Sequence, residues 1–270
     1  MKKNTSLKIG LFIILFLLSV CIVSFFWTPY DPYATSSNIE DQLQGPSLEH
    51  IFGTDHLGRD VLSRIMIASQ KAFFIGFSTL IIAGGIGITI GLVSGYIGGT
   101  VDEILMRIVD IFMTIPGTVL LLLFVTIFGR GTVQTIIAIS IMNFTTFAKM
   151  TRSQVLSIKR REHIEWAKAI GVNNCRIVFM HILPDLFPTL LVVGAMKFSS
   201  SVMAEAGLSY LGLGIQNPEP SWGNMLTRAS SSIISSPFNA IIPGIMITLF
   251  VVGFHLLSDG LRRALNVKES

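Results

Sequence analysis

Apolar residues gather in six long runs, near 7 to 27, 73 to 98, 106 to 128, 132 to 150, 186 to 206 and 239 to 259, and polar residues collect between them. A helix needs about 20 mostly apolar residues to cross a bilayer, so the pattern predicts an all-α, polytopic membrane protein with six transmembrane helices. The fourth run is the least apolar, because Asn143, Thr145 and Thr146 dilute its second half and Lys149 lies at its end. Its polar side chains predict packing inside the bundle. Lys2, Lys3 and Lys8 precede the first run, and Leu18 to Cys21 loosely follow a lipoprotein cleavage pattern. Val20 fits that pattern poorly and the run continues to Trp27, so a retained anchor is expected.

Between the fourth and fifth runs lies a segment of another kind, EWAKAIGVNNCRIVFMHILP, from Glu165 to Pro184. Ala167, Ile170, Ile177, Val178, Met180 and Ile182 recur at roughly helical spacing, and Gly171 and Pro184 interrupt them. Two short helices with a bend are predicted, forming a basic knob whose apolar face needs a partner. The rival reading is an ordinary loop whose charges only enforce topology and touch anionic lipid, the role expected of Lys159, Arg160 and Arg161.

Composition narrows the class. With 51% hydrophobic and 13% charged residues in 270, an ordinary soluble domain is excluded. The two cysteines, Cys21 and Cys175, offer no disulfide framework and no CxxC metal site. The net charge of +4 comes from residues beside apolar runs, without interleaved stacking aromatics, so no nucleic-acid partner is expected. Lysines and arginines instead set orientation. With an inside N-terminus, Lys2, Lys3, Lys8, Arg107, Lys149, Arg152, Lys159, Arg160, Arg161, Lys168, Arg176, Arg262, Arg263 and Lys268 face the cytoplasm. Arg59, Arg64, Lys71, Arg130 and Arg228 then face out. Both termini and the knob are therefore expected in the cytoplasm, with segments 28 to 72 and 207 to 238 outside.

Glu165, Ala167, Gly171, Leu183 and Pro184 match the EAA motif of integral membrane subunits of ATP-binding cassette importers. GTDHLGRDVLSR from Gly53, MRIVDIFMTIP from Met106 and LSYLGLGIQNPEPSWGNML from Leu208, with HILPD, resemble the second permease subunit of the peptide and nickel importer family. The resemblance implies a type I importer permease fold: an anchor and external segment over 1–72, and a transmembrane domain over 73–270 whose coupling loop is near 150–185. It implies that this loop docks on a separate ATPase, with Glu165, Ala167, Gly171, His181, Leu183 and Pro184 as coupling residues. Trp166 replaces the motif's usual first alanine and is expected to pack, and Asp185 replaces a more usual asparagine. The implied partners are a second, homologous permease chain forming a heterodimer, two ATP-binding subunits, an extracytoplasmic substrate-binding protein and membrane lipid, in the cytoplasmic membrane of a prokaryote.

Outside, Asp55, Arg59, Asp60 and Arg64 stand at spacings that allow pairing along one face of a short helix. The segment is expected either to do only that or to form an external gate or binding-protein contact. Asp55 and His56 also suggest a metal site, but no third ligand is recognisable and none is expected. Gly212, Gly214, Pro218 and Pro220 forbid a continuous helix before Trp222, which predicts either an external gate or a structural cap packed by Tyr210, Leu211 and Trp222. Lys197 and Glu205 lie inside the fifth run, where ionisable groups are costly, and are candidates for the transport pathway.

No GxxxxGK[ST] loop, HExxH or nucleophile elbow occurs, so no enzyme activity and no cofactor are expected, and ATP hydrolysis is assigned to partner chains. A stand-alone homo-oligomeric transporter or channel would need inverted repeats and broken midplane helices, which the chain does not display. A membrane enzyme or sensory anchor would need a catalytic cluster or a soluble domain. TDHLGRD and IFMTIP resemble nickel-type members, so nickel or a metal chelate is the expected substrate, with short peptides or glutathione as the alternative.

Overall fold

The computed structural model describes residues 5–265. Lys2, Lys3 and Lys268, which entered the orientation argument, lie outside them. Helix α1 runs Thr5–Ser24, α2 Val61–Ile97, α3 Gly99–Thr114, α4 Gly117–Phe128 and α5 Thr132–Ile158. After α6 (Glu162–Ala169) and α7 (Asn174–Ile177), a π-helical turn over Val178–Ile182 leads into α8 (Leu183–Tyr210). The chain closes with α9 (Trp222–Ala229) and α10 (Phe238–Ala264).

Among the described residues, four helices are long and apolar enough to cross a membrane: Thr5–Ser24, Val61–Ile97, Asn174–Tyr210 and Phe238–Ala264. The third predicted span is not one straight helix. Its halves, α3 and α4, meet at 87°. Pro116 sits at the break, where its ring and missing N–H stop α3, and Ile115 before it is extended. The fourth span, α5, reaches about 40 Å at 1.5 Å per residue, but its polar residues keep it outside the apolar set. Of those residues Asn143 and Thr145 are buried as expected and Thr146 is half-buried, and Asn143 Nδ2 donates to Ser201 Oγ of α8 at 3.0 Å. The boundary expected at 72/73 falls within α2, which begins twelve residues before the predicted span.

Glycine brings the bundle together. Gly87, Gly91 and Gly95 lie one turn apart on α2 and face α5 so closely that a Cβ on Gly91 would stand 2.6 Å from both Ala148 O and Thr151 Cβ. Small residues at this spacing let two helix backbones touch, giving dispersion contacts that lipid cannot replace. Gly10 on α1 meets the backbone of Gly253 and Leu257 on α10 in the same way. Phe73, Phe198, Phe250, Phe254 and Trp222 fill the space among α2, α8, α9 and α10.

Candidate functional site

The knob begins where α5 ends. In α6, Ile164 and Ala167 turn inward, and with Ile177, Ile182 and Leu186 they bury against Leu92 of α2 and Val155 and Ile158 of α5. Glu162 and Glu165 occupy the first turn of α6, where the helix dipole favours negative charge. Gly171 closes α6. Its N–H donates to Lys168 O and that of Val172 to Ala167 O, both at 3.0 Å, while Gly171 adopts φ +80°. This paired-bond ending requires a left-handed residue and suits glycine. Asn173 then caps α7, accepting from Cys175 N at 3.0 Å.

The bend predicted at Gly171 is thus present, whereas the role expected of Pro184 takes another form. Pro184 lies in the first turn of α8, directly after the π-helical turn. A proline there lacks a donor and crowds the carbonyl four residues back, and the wider turn absorbs both effects. The knob therefore runs without a joint into α8. His181 and Leu183 are half-buried within this continuous stretch.

Clamps that sequence reading missed pin the knob to α2 and α8 and join α5 to α3. Arg161 Nη1 binds Asp185 Oδ2 at 2.7 Å, bridging the start of α6 to the start of α8. Tyr96, near the end of α2, donates its hydroxyl to Asn174 Oδ1 at 2.7 Å, and its ring lies beneath Lys159 and Lys168. Arg152 on α5 grips both oxygens of Asp102 on α3, and Lys149 meets Asp110 at 2.8 Å. The substitution of aspartate at 185 was the available signal for the first clamp.

Trp166 does not pack inside the knob as expected. It is 70% exposed and Ile170, one turn on, 77%; Glu165 beside it and Phe179 and Met180 after α7 are exposed too, as are the basic Lys168 and Arg176. Ala167, by contrast, is buried.

At the opposite end, Asp55, Arg59, Asp60 and Arg64 do pair, but through a tight turn at Gly58 instead of along one helix face. Asp55 accepts from Arg59 Nε at 2.8 Å, from Leu57 N at 2.8 Å and from Arg59 N at 3.1 Å. Burial opposes ionisation of Asp55, yet Arg59 and these backbone donors outweigh it and hold the carboxyl below its ordinary range. Asp60 caps α2, accepting from Ser63 N at 2.7 Å, and also meets His50 Nδ1 at 2.9 Å. Arg59, Asp60 and Arg64 are buried, so they shape this end without presenting their side chains to a partner. His56 Nε2 lies 3.2 Å from Arg228 Nη1. Among the described residues no group of three or more His, Cys, Asp or Glu side chains is placed to hold a metal ion.

Because the folded pKa of Asp55 is depressed, its contribution to stability is present above the unfolded value of 3.8 and is lost as pH falls through the lower folded value. The melting-temperature gap between wild type and Asp55→Asn is therefore expected to stay constant from neutral pH to about 4 and to close below it. Thermal melts across that range check this.

Gly212 ends α8 by the same paired-bond device, at φ +74°, and a Cβ on Gly214 would strike Ser209. Both glycines therefore shape the loop. Trp222, expected at an external gate or cap, is buried, its Nε1 donating to Ile65 O at 3.3 Å, while Tyr210 and Leu211 stay exposed. Glu205 is buried and accepts from Ser209 Oγ at 2.5 Å, and that oxygen in turn accepts from Ile215 N at 2.9 Å. The carboxylate thus anchors the returning loop. Lys197 is half-buried earlier on α8, and no ion pair joins it to Glu205 among the described residues.

Comparisons with known proteins agree with this architecture. Residues 87–268 match the family described as binding-protein-dependent transport system inner membrane component, and residues 1–46 match the N-terminal TM domain of oligopeptide transport permease C. The dipeptide transport system permease protein DppC of Alkalihalophilus pseudofirmus is 38% identical over 99% of this chain and 88% of its own length. The glutathione transport system permease protein GsiD of Pectobacterium atrosepticum is 37% identical with the same coverage. Among solved structures, a chain of the inward-facing MetNI methionine ABC transporter superposes with a TM-score of 0.58 at 18% identity, covering 72% of this chain and 93% of that one. That likeness speaks to the fold alone.

Proposed function

The chain belongs to the binding-protein-dependent transport system inner membrane components, and from that premise we propose that it is one of two permease subunits importing short peptides, including the tripeptide glutathione, by ATP-driven alternating access. The observation that carries this reading is the knob: an outward face of Glu165, Trp166, Ile170, Phe179 and Met180 on a bend that continues directly into α8. A rigid stretch of that kind passes displacement from a docked ATPase into the bundle. Glu165 would meet a basic residue of the ATPase, while the apolar residues around it would be covered by the docking groove. His181, Leu183 and Pro184 belong to the lever that links this face to α8.

The partners in this proposal are a second homologous permease, two ATP-binding subunits and an extracytoplasmic binding protein. Exposed apolar residues on α3 and α4, among them Ile108, Ile111, Leu123 and Ile127, suit the second permease or lipid. The distribution of lysine and arginine supports a cytoplasmic knob and cytoplasmic termini in a prokaryotic cell membrane. The opposite end then receives the binding protein, with exposed Tyr210 and Leu211 available for contact and Asp55, Arg59, Asp60, Arg64, Gly212, Gly214 and Trp222 holding its shape. Lys197 and Glu205 remain proposed pathway neighbours, with Glu205 also acting through the loop it anchors. Peptides replace the nickel or metal chelate expected from TDHLGRD because both relatives described above are named for peptide cargo.

Reconstitution tests the reading. Vesicles containing the assembly and its binding protein are expected to accumulate labelled dipeptide or glutathione only with ATP and hydrolysis-competent ATPase subunits. Accumulation driven by an ion gradient without them would instead favour a stand-alone transporter, and uptake of a nickel chelate in place of peptide would reverse the substrate proposal.

A further inference from the structure

Halfway along α8 stands a lysine that no acid meets. Lys197 lies at the centre of the apolar run from 186 to 206, so about 15 Å of hydrocarbon separates it from either headgroup layer. That is farther than its four-carbon stem can snorkel. Among the described residues it joins no ion pair. Asp110 is taken by Lys149, and Glu205 by Ser209. The side chain of Lys197 is only half-buried, so this chain does not enclose it. An ammonium facing lipid at that depth is costly, and such groups turn instead to a bundle interior or a water-filled cavity.

The seam beside it, between α5 and α8, is polar. Asn143 of α5 donates to Ser201, and Ser200 and Ser201 both turn their hydroxyls to Lys197 O. Thr146, Ser153 and Ser157 follow along one face of α5 at helical spacing, and Arg160 stands just past its end. The last three border a hollow of about 400 Å³. A second, independent feature marks the same place. The break from Thr114 to Pro116, between α3 and α4, is exposed, and a Cβ on Gly117 would stand 2.8 Å from Met142 Sδ, next to Asn143. Non-helical backbone at membrane depth persists only where protein covers it or water reaches it.

We propose that the α5/α8 seam is the wall of an aqueous route completed by the second permease, and that the Lys197 ammonium receives the C-terminal carboxylate of the peptide passing along it. This rests on the peptide-import reading above. A single flexible ammonium suits cargo that has to leave again, because it binds as a point charge without the two-pronged grip of an arginine.

The test uses the whole assembly with its binding protein in vesicles, and the dipeptide alanyl-alanine, whose terminal carboxylate is its only negative charge. Lys197→Cys is made in a Cys175→Ser background, because Cys175 is exposed and Cys21 is buried. It is expected to slow uptake about tenfold or more, as loss of a hydrogen bond to a charged group does. During ATP-driven turnover the introduced thiol is treated with methanethiosulfonates of similar size carrying an aminoethyl, a neutral propyl or a sulfonatoethyl group. The same reagents on the Cys175→Ser background control for thiols of the partner chains. The aminoethyl adduct is expected to restore most uptake, the propyl adduct to leave it slow and the sulfonate to slow it further. A purely structural lysine would show no dependence on the sign of the charge. Equal uptake by the three adducts overturns the proposal, and so does a thiol that neither charged reagent reaches. Should Lys197→Cys fail to fold, Lys197→Arg and Lys197→Gln decide: uptake kept by the first and lost by the second supports the site, and equal uptake refutes it. Wild-type assembly that carries no dipeptide overturns the peptide reading and this inference with it, whereas dipeptide uptake blind to charge at position 197 overturns this inference alone.

Discussion

Replacing Gly171 with proline is expected to reduce ATP-driven uptake to the background of vesicles without ATPase, while the protein still inserts in the membrane. Gly171 sits at φ +80°, and proline is confined near −65°, so the chain cannot leave α6 along its present path. The substitution also removes the N–H that donates to Lys168 O and disfavours the near-helical backbone of Ile170. The outer face of α6 would then be re-aimed relative to α7 and α8, and a lever that points elsewhere transmits nothing. Gly171→Ala is the informative control. No atom lies within 4 Å of the position a Cβ would take, so alanine meets only the left-handed backbone penalty of about 1–2 kcal/mol. It should leave most uptake intact. Glu165→Ala tests the docking contact itself, since Glu165 is exposed and its loss leaves the knob's packing unchanged. Uptake at the wild-type rate by Gly171→Pro would remove the lever from the mechanism.

Gly91→Leu is expected to lower the yield of folded protein sharply, because α2 and α5 meet there backbone to backbone. The new Cβ would lie 2.6 Å from Ala148 O, and a carbonyl within a helix cannot rotate away as a flexible side-chain tip can. Inserting carbon into a packed seam costs about 1–3 kcal/mol even where neighbours can adjust. Here Gly87 and Gly95 hold the helices equally close on either side. Gly85→Leu, on the same helix, has nothing within 4 Å and lines an apolar groove, so it is expected to be tolerated. Detergent-solubilised yield and thermal melting of the two variants check this contrast. Equal behaviour would mean that α2 and α5 do not rest on this glycine seam.

Four of the six expected spans, the bend at Gly171 and the unwound return before Trp222 were legible in the chain because each follows from neighbouring residues. Transfer of an apolar run into lipid sums over consecutive side chains, and glycine or proline alters its own backbone wherever it stands. The break at Pro116 carried the same kind of local signal, yet a hydropathy window reads across it. Other features depend on partners far along the chain, and for these only the tertiary structure was decisive. Asp185 gains meaning from Arg161, Tyr96 from Asn174, and Arg228 from His56. The spacing of Asp55, Arg59 and Arg64 suggested pairing, but the fold placed them in a buried turn under Asn239 and Arg228. Trp166 was expected to pack and faces outward, while Trp222, for which a gate and a packed cap were both open, lies in the core. An amphipathic period tells which residues share a face, but whether that face meets protein, lipid or a partner is set by helices that arrive from elsewhere in the chain.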